Sequence, residues 1–225
     1  MSQDPQEQWT KVDAYFDQAL FPPDEILQSA LTANAAGGLP AIDVSPTQGK
    51  FLYLLAKIHG ARRILEFGTL GGYSTIWLAR ALPADGQLVS LEAEPKHAEV
   101  ARQNVARAGF AKSVRILTGK ALDSLPKLKS ESKEPFDLIF IDADKPSTPD
   151  YYRWAVELSR PGTVIIVDNV VRKGEVANAD STDANVLGMR RFMEIISKDS
   201  RVEATGLQTV GVKGHDGFVI ARVLR

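Results

Sequence analysis

The chain has 225 residues, 44% of them hydrophobic, which is enough for one sizeable core and too few for two full domains. Its 27 basic and 28 acidic residues leave a formal charge of −1, so no global field draws it to nucleic acid or to an anionic membrane. There is no cysteine, which excludes disulfide scaffolds and thiolate chemistry; any metal must be held by oxygen or imidazole.

The first residues, Met1 to Glu7, have neither an apolar stretch nor arginine enrichment, and no later run approaches membrane-spanning length. A cytoplasmic protein is expected. Residues 8–35 carry apolar side chains at helical spacing (Trp9, Val12, Phe16, then Ile26, Leu27, Leu31), interrupted by Phe21-Pro22-Pro23, which predicts two short helices joined at a proline break. Ser45-Pro46-Thr47 reads as an N-cap with proline in the first turn, opening a helix with Phe51, Leu54, Leu55 and Ile58 on its apolar face.

Beyond Gly60, short β-rich runs at 62–67, 87–92, 113–118, 136–141 and 163–167 alternate with helical stretches, the pattern of a mostly parallel sheet with helices on both faces. Lys127 to Pro135 is charged and predicts a surface loop. The last stretch breaks the rhythm: residues 202–212 and 218–224 predict an antiparallel hairpin turning at Gly214-His215-Asp216-Gly217.

In an open α/β sheet, ligands bind beyond the carboxyl ends of the strands, and four of the five predicted parallel strands end in acid: Glu66, Glu92, Asp142 and Asp168. The first opens into Gly68-Thr69-Leu70-Gly71-Gly72-Tyr73-Ser74, where glycines permit close backbone approach and a helix N-terminus follows. The spacing matches neither the dinucleotide fingerprint nor a P-loop, and the Glu66 carboxylate disfavours pyrophosphate while welcoming ammonium and sulfonium. Glu92 is placed to accept both hydroxyls of a ribose. Asp142, Asp168 and Asn169 offer three oxygens suited to a hard cation such as Mg²⁺, with Lys145 three residues past Asp142 as a candidate base. The histidines, His59, His97 and His215, are scattered and pair with no acid or nucleophile in the sequence pattern. Trp9, Phe16, Phe51, Tyr73 and Trp77 read as core.

These motifs, with Val44-Ser45-Pro46-Thr47-Gln48-Gly49, Phe140 to Lys145, Val167 to Val170 and Asp216-Gly217-Phe218, resemble the cation-dependent O-methyltransferases that use S-adenosylmethionine, the catechol and caffeoyl-coenzyme A type and its small microbial relatives. The resemblance covers about residues 40–225, with residues 1–40 a variable pair of helices in one methyltransferase domain. It implies a class I, Rossmann-like methyltransferase sheet that is mostly parallel with a C-terminal antiparallel hairpin. It further implies that Val44, Glu66, Gly68, Thr69 and Ser74 contact the methionine part of the cofactor, that Glu92 takes the ribose, that Ala121 lies beside the adenine, and that Asp144 faces the cofactor. By the same resemblance Asp142, Asp168 and Asn169 bind Mg²⁺, Mn²⁺ or Ca²⁺, Lys145 is the base, the substrate is a small vicinal-diol phenol, and the protein is a homodimer. Arg172-Lys173 departs from the aromatic and polar pair common in plant members, which leaves the acceptor open between an acidic phenol, a coenzyme A thioester and no contact at all. Two other readings are a class I methyltransferase acting on a macromolecule and an inactive nucleoside-binding relative; near-zero charge opposes the first and the intact acids and lysine the second.

Overall fold

The computed structural model of the protein describes residues 4–131 and 134–225. Seven strands form one sheet: β1 (Arg63–Phe67), β2 (Gln87–Glu92), β3 (Val114–Thr118), β4 (Phe136–Ile141), β5 (Ser159–Asp168), β6 (Val202–Gly211) and β7 (Gly214–Val223). Their order is β3-β2-β1-β4-β5-β7-β6, with β1 to β5 parallel and β7 antiparallel to both of its neighbours. The predicted mixed sheet is therefore borne out.

Strand alternation decides which layer each residue joins. Leu65, Phe67, Ile139, Ile141, Ile165 and Val167 face one way. There they pack under α6 (Ala121–Glu131), α7 (Thr148–Glu157) and α8 (Ala184–Ile196), through Leu125, Tyr152, Ala155 and Phe192. Ile64, Leu88, Leu138, Phe140 and Ile166 face the other way, under Leu27, Leu52, Ile76 and Val105 of α2 (Glu25–Ala36), α3 (Pro46–His59), α4 (Tyr73–Ala81) and α5 (Pro95–Arg107). Every position of β4 is buried, as a central parallel strand covered on both sides requires. Among the described residues no helix is long and apolar enough to cross a membrane.

The N-terminal segment forms α1 (Pro5–Leu20) and α2, parted at the predicted proline break, and Asp24 caps α2 by accepting from Leu27 N. The expected burial of Trp9 and Phe16 fails: α1 has no buried residue, and Phe16 is 43% exposed. The reason is topological, since α1 lies along β6, the outermost strand, with no further layer over it. It is fastened there by Val212 N donating to Asp13 Oδ2 at 2.6 Å and Gln6 Nε2 donating to the Gly211 carbonyl at 3.0 Å.

Three boundaries differ from the sequence reading. Lys127 to Glu131 is helical, because Leu125 and Leu128 are buried in register with Ala121 and draw the charged residues between them into α6; of the rest of that predicted loop, residues 132–133 lie outside the described residues. β5 begins at Ser159, four residues early, where its start pairs with Phe136. The hairpin turns at Val212-Lys213, and His215, Asp216 and Gly217 pair with Val210, Thr209 and Gln208. Gly214, at φ +91°, supplies the left-handed step on leaving the turn, which releases the predicted turn residues into β7.

At the amino end of the sheet, Asp137 is a buried anchor. Its carboxylate accepts from Arg62 N at 2.9 Å, Arg63 N at 3.0 Å and Arg160 Nη2 at 2.5 Å. Asp137→Ala leaves two backbone donors without this acceptor, so it should cost about 2 kcal/mol and lower Tm by about 4–8 °C for a domain of this size. A calorimetric Tm within about 1 °C of the parent would show the anchor to be unimportant.

Candidate active site

The strand order places the carboxyl ends of β2, β1, β4 and β5 side by side, so the four acids gather along one edge. Phe67 pairs with Ile141, and Ile141 with Val167; Asp142 and Asp168, each the next residue, therefore leave adjacent strands together. Gly68 follows Phe67 on the other side, at φ +91°, where a Cβ would sit 2.0 Å from the Asp142 carbonyl oxygen. Only glycine lets the loop after β1 and the Asp142 turn approach so closely.

Residues 68–72 alternate through left-handed conformations, with Gly68, Leu70 (φ 47°) and Gly72 (φ 87°) all at positive φ. A leucine there is strained and needs outside support. Glu92 provides it: one carboxylate oxygen accepts from Thr69 N at 3.1 Å and Leu70 N at 2.7 Å, while the other accepts from Glu94 N at 3.0 Å. Glu92 is 7% exposed and shapes the loop. His97 Nδ1 lies 3.6 Å from Glu92, so one of the histidines expected to stand apart from any acid does have an acidic neighbour.

Glu66 is fully buried beneath the loop and receives hydroxyls from Ser74 at 2.6 Å, Thr75 at 2.5 Å and Ser90 at 2.7 Å; Ser90 in turn meets the Thr69 hydroxyl at 2.5 Å. This geometry places Glu66 behind the loop surface, with Ser74 and Thr69 between it and the exterior. Burial pushes its carboxyl up to about 7, against the pull of the three hydroxyls and with a smaller push from Asp142. Val44 is buried just before α3, and Ala121 is buried at the first residue of α6, beyond β3.

On the β4 and β5 side, Lys145 is buried and its Nζ donates to Asp142 Oδ1 at 2.6 Å. Its backbone is gripped as well, since a Cβ on Gly188 of α8 would lie 2.3 Å from the Lys145 carbonyl. Asp168 is 4% exposed; Asn169 N donates to one oxygen at 2.7 Å and Gln48 Nε2 to the other at 2.6 Å. Burial and then the charge of Asp142 push the Asp168 carboxyl up to about 7, opposed by Lys145 and by those two hydrogen bonds. Asp144 is exposed; it accepts from Ser147 N at 3.2 Å, capping a 3-10 turn over Lys145–Ser147, and from the Tyr151 hydroxyl.

The chain then passes through left-handed Asn169 (φ 57°), Arg172 (φ 53°) and Lys173 (φ 58°). A single oxygen of Asp216, in β7, holds this strained segment by accepting from Val171 N at 3.0 Å and Arg172 N at 3.1 Å. The sequence reading assigned no role to Gln48, Thr75 or Ser90. Ser45 to Gln48 has the capping-box pattern and Ser45 Oγ does accept from Gln48 N at 3.2 Å, but the glutamine side chain crosses to Asp168 instead of turning back on its own helix. No local signal in the sequence marks that long-range contact.

A Rossmann-like sheet of this order, with an acidic, glycine-containing loop after its first strand and a second acid after the next, defines a class I methyltransferase. The sequence model of the O-methyltransferase family matches residues 23–223. The chain is 53% identical, over 94% of its length and 96% of the relative's, to a catechol O-methyltransferase of Niastella koreensis. Among solved structures it resembles an O-methyltransferase from Bacillus cereus in complex with SAH (59% identity, TM-score 0.96, covering 97% of this chain and 99% of that one). It also resembles the O-methyltransferase TomG from Streptomyces achromogenes, involved in tomaymycin synthesis and solved in complex with SAM (51% identity, TM-score 0.95, covering 99% and 100%). The chain belongs to the O-methyltransferase family and is an S-adenosylmethionine-dependent O-methyltransferase.

The buried Glu66 makes a signed prediction. Its folded pKa lies above the ordinary carboxyl value of 4.5, so the stability it contributes is present below that value and is lost as pH rises towards about 7. Glu66→Gln, which cannot ionise, should therefore gain Tm relative to the parent between pH 5 and pH 8. Parallel Tm profiles for the two proteins across that range would refute the assignment.

Proposed function

We propose that the protein transfers the methyl group of S-adenosylmethionine to one hydroxyl of a small vicinal-diol phenol with the help of a divalent cation. The observation that carries this reading is the pair Asp142 and Asp168, two acids leaving adjacent strands, one of them buried with its carboxyl raised partly by the charge of the other. Such a pair is costly unless a cation joins it. Asn169 adds an amide oxygen, completing an all-oxygen donor set that fits a hard ion such as Mg²⁺, with Mn²⁺ and Ca²⁺ as alternatives. When bound, the cation would supply chelation of the two phenolic oxygens and acidify them.

The chain's own residues supply the rest. Lys145, whose Nζ lies 2.6 Å from Asp142 Oδ1, would take the hydroxyl proton as the neutral amine, after giving up its own proton. The 66–74 loop with Val44 holds the methionine part of the donor, Glu92 its ribose and Ala121 its adenine. The phenolate oxygen then attacks the methyl carbon, the carbon–sulfur bond breaks, and S-adenosylhomocysteine leaves. Orientation by two rigid strand ends lowers the barrier without any covalent intermediate on the protein. Arg172 and Lys173, on the loop just past Asn169, favour an acceptor carrying a negative group.

In this reading residues 41–225 are the methyltransferase core, residues 1–40 are the variable helices, and the protein is a homodimer. Support for the dimer comes from apolar side chains left open on α1 and β6: Tyr15 is 68% exposed, Leu20 64%, Leu207 51% and Val210 52%. Burying such a patch against a second copy is favourable. Light scattering should give twice the 24.5 kDa chain mass at micromolar concentration, and a monomer there would remove the dimer from this reading.

The catalytic test uses S-adenosylmethionine, Mg²⁺ and a panel of catechols, with and without EDTA. EDTA and Asp168→Ala should each abolish turnover while S-adenosylhomocysteine still binds by calorimetry. Lys145→Ala should lower kcat about 10²-fold or more. Turnover indifferent to chelator would end the metal reading, and near-normal turnover of the Lys145 variant across pH would end its role as base.

A further inference from the structure

The donor loop is held from below by Glu92, but Gly71 and its surroundings are held by something else. Asn104, on α5 and 1% exposed, donates its Nδ2 to the Gly71 carbonyl at 2.8 Å and to Asn34 Oδ1 at 3.0 Å. Asn34, near the end of α2 and 3% exposed, presses on the loop so closely that a Cβ on Gly71 would lie 1.8 Å from its Oδ1. Its own Nδ2 donates to Asp43 Oδ1 at 2.8 Å, and Asp43 immediately precedes Val44. Arg107 completes the chain by donating to Asn104 Oδ1 at 2.9 Å. A buried polar network with every member partnered holds one geometry well, because any break strands a polar group.

We infer that Asn34, Asp43 and Asn104 are positioning residues that lock the Gly71 side of the donor loop to the segment carrying Val44, so that the second N-terminal helix sets the affinity for S-adenosylmethionine. None of the three needs to touch the cofactor. Leu70 is the strained member of the loop, and it is flanked by the two grips: its own N–H on Glu92 and the next carbonyl on Asn104. Releasing the second grip leaves the leucine free to relax out of its left-handed conformation, and with it the loop that receives the donor. The 37–45 segment is also tied by Leu39 N donating to the Asn34 carbonyl at 3.0 Å and by Lys213, in the hairpin turn, donating to the Ala41 carbonyl at 3.1 Å, so its far side is held independently of the Asn34 side chain.

The inference rests on the reading that residues 66–74 hold the donor, and two readouts keep the two apart. Hydrogen exchange followed by mass spectrometry on the parent protein, with and without S-adenosylhomocysteine, tests the loop: protection of residues 66–74 is expected, and its absence would overturn the loop reading itself. Calorimetric titration with S-adenosylhomocysteine then tests the clamp. Asn34→Ala and Asp43→Ala should each raise Kd about 10-fold or more, with KM for S-adenosylmethionine rising in parallel and kcat at saturating donor staying within about twofold. Asp43→Asn keeps an oxygen for Asn34 Nδ2 and should bind within about twofold of the parent. Should Asn34→Ala not fold, the Asp43 pair decides alone, since that position is half-buried at the surface of the network. Parent-like Kd in both alanine variants, or equal losses in Asp43→Ala and Asp43→Asn, would overturn the inference.

Discussion

Carboxylates buried at the carboxyl edge of a parallel sheet are the constraint from which the rest of this structure follows. An ionised acid loses much of its hydration there and must be repaid by donors, by a cation or by a proton. Each of the four acids is answered differently. Glu66 has three hydroxyls, Glu92 has backbone N–H groups, Asp142 has the Lys145 ammonium, and Asp168 has Gln48 and its neighbour's N–H. Those answers build the site. The hydroxyl cage fixes the floor of the loop after β1, the N–H cluster fixes its shape, and Asp142 and Asp168 leave adjacent strands side by side at its edge.

Two strained loops flank this edge, and both are stabilised by an acid from a neighbouring strand. Glu92 on β2 holds Leu70 in the loop after β1, and Asp216 on β7 holds Val171 and Arg172 in the loop after β5. One carboxylate taking several backbone donors offsets the cost of left-handed non-glycine residues, about 1–3 kcal/mol each. The two loops thus share one device, and at Gly68 the absence of a side chain lets the first of them touch the Asp142 turn.

The alternation of apolar runs, the acids at the strand ends, the helix breaks at Pro22-Pro23 and the cap at Ser45 were all legible, because each is a local pattern with a local physical cause. The hairpin turn was misplaced because Gly214 to Gly217 has turn composition, while the pairing of Asp216 with Thr209 depends on a strand seven residues away. Gln48 was hidden because its partner Asp168 lies 120 positions away, and Asn34 by lying in a segment whose sequence carries no chemical motif. The burial of α1 was overestimated since amphipathic spacing identifies a face without saying what covers it.

Which residue types stand at strand ends was settled by sequence alone, and with it the sheet class and the glycine-bearing loop after the first strand. Tertiary structure decided how those groups are held: that Glu66 is fully buried among hydroxyls, that burial and then the charge of Asp142 push the Asp168 carboxyl up, that Gln48 reaches across 120 positions to it, and that Asn34 grips Gly71. The physical reason is range. Propensity, capping and alternation act within a few residues, whereas desolvation and buried hydrogen bonds depend on which distant segments the sheet order brings together.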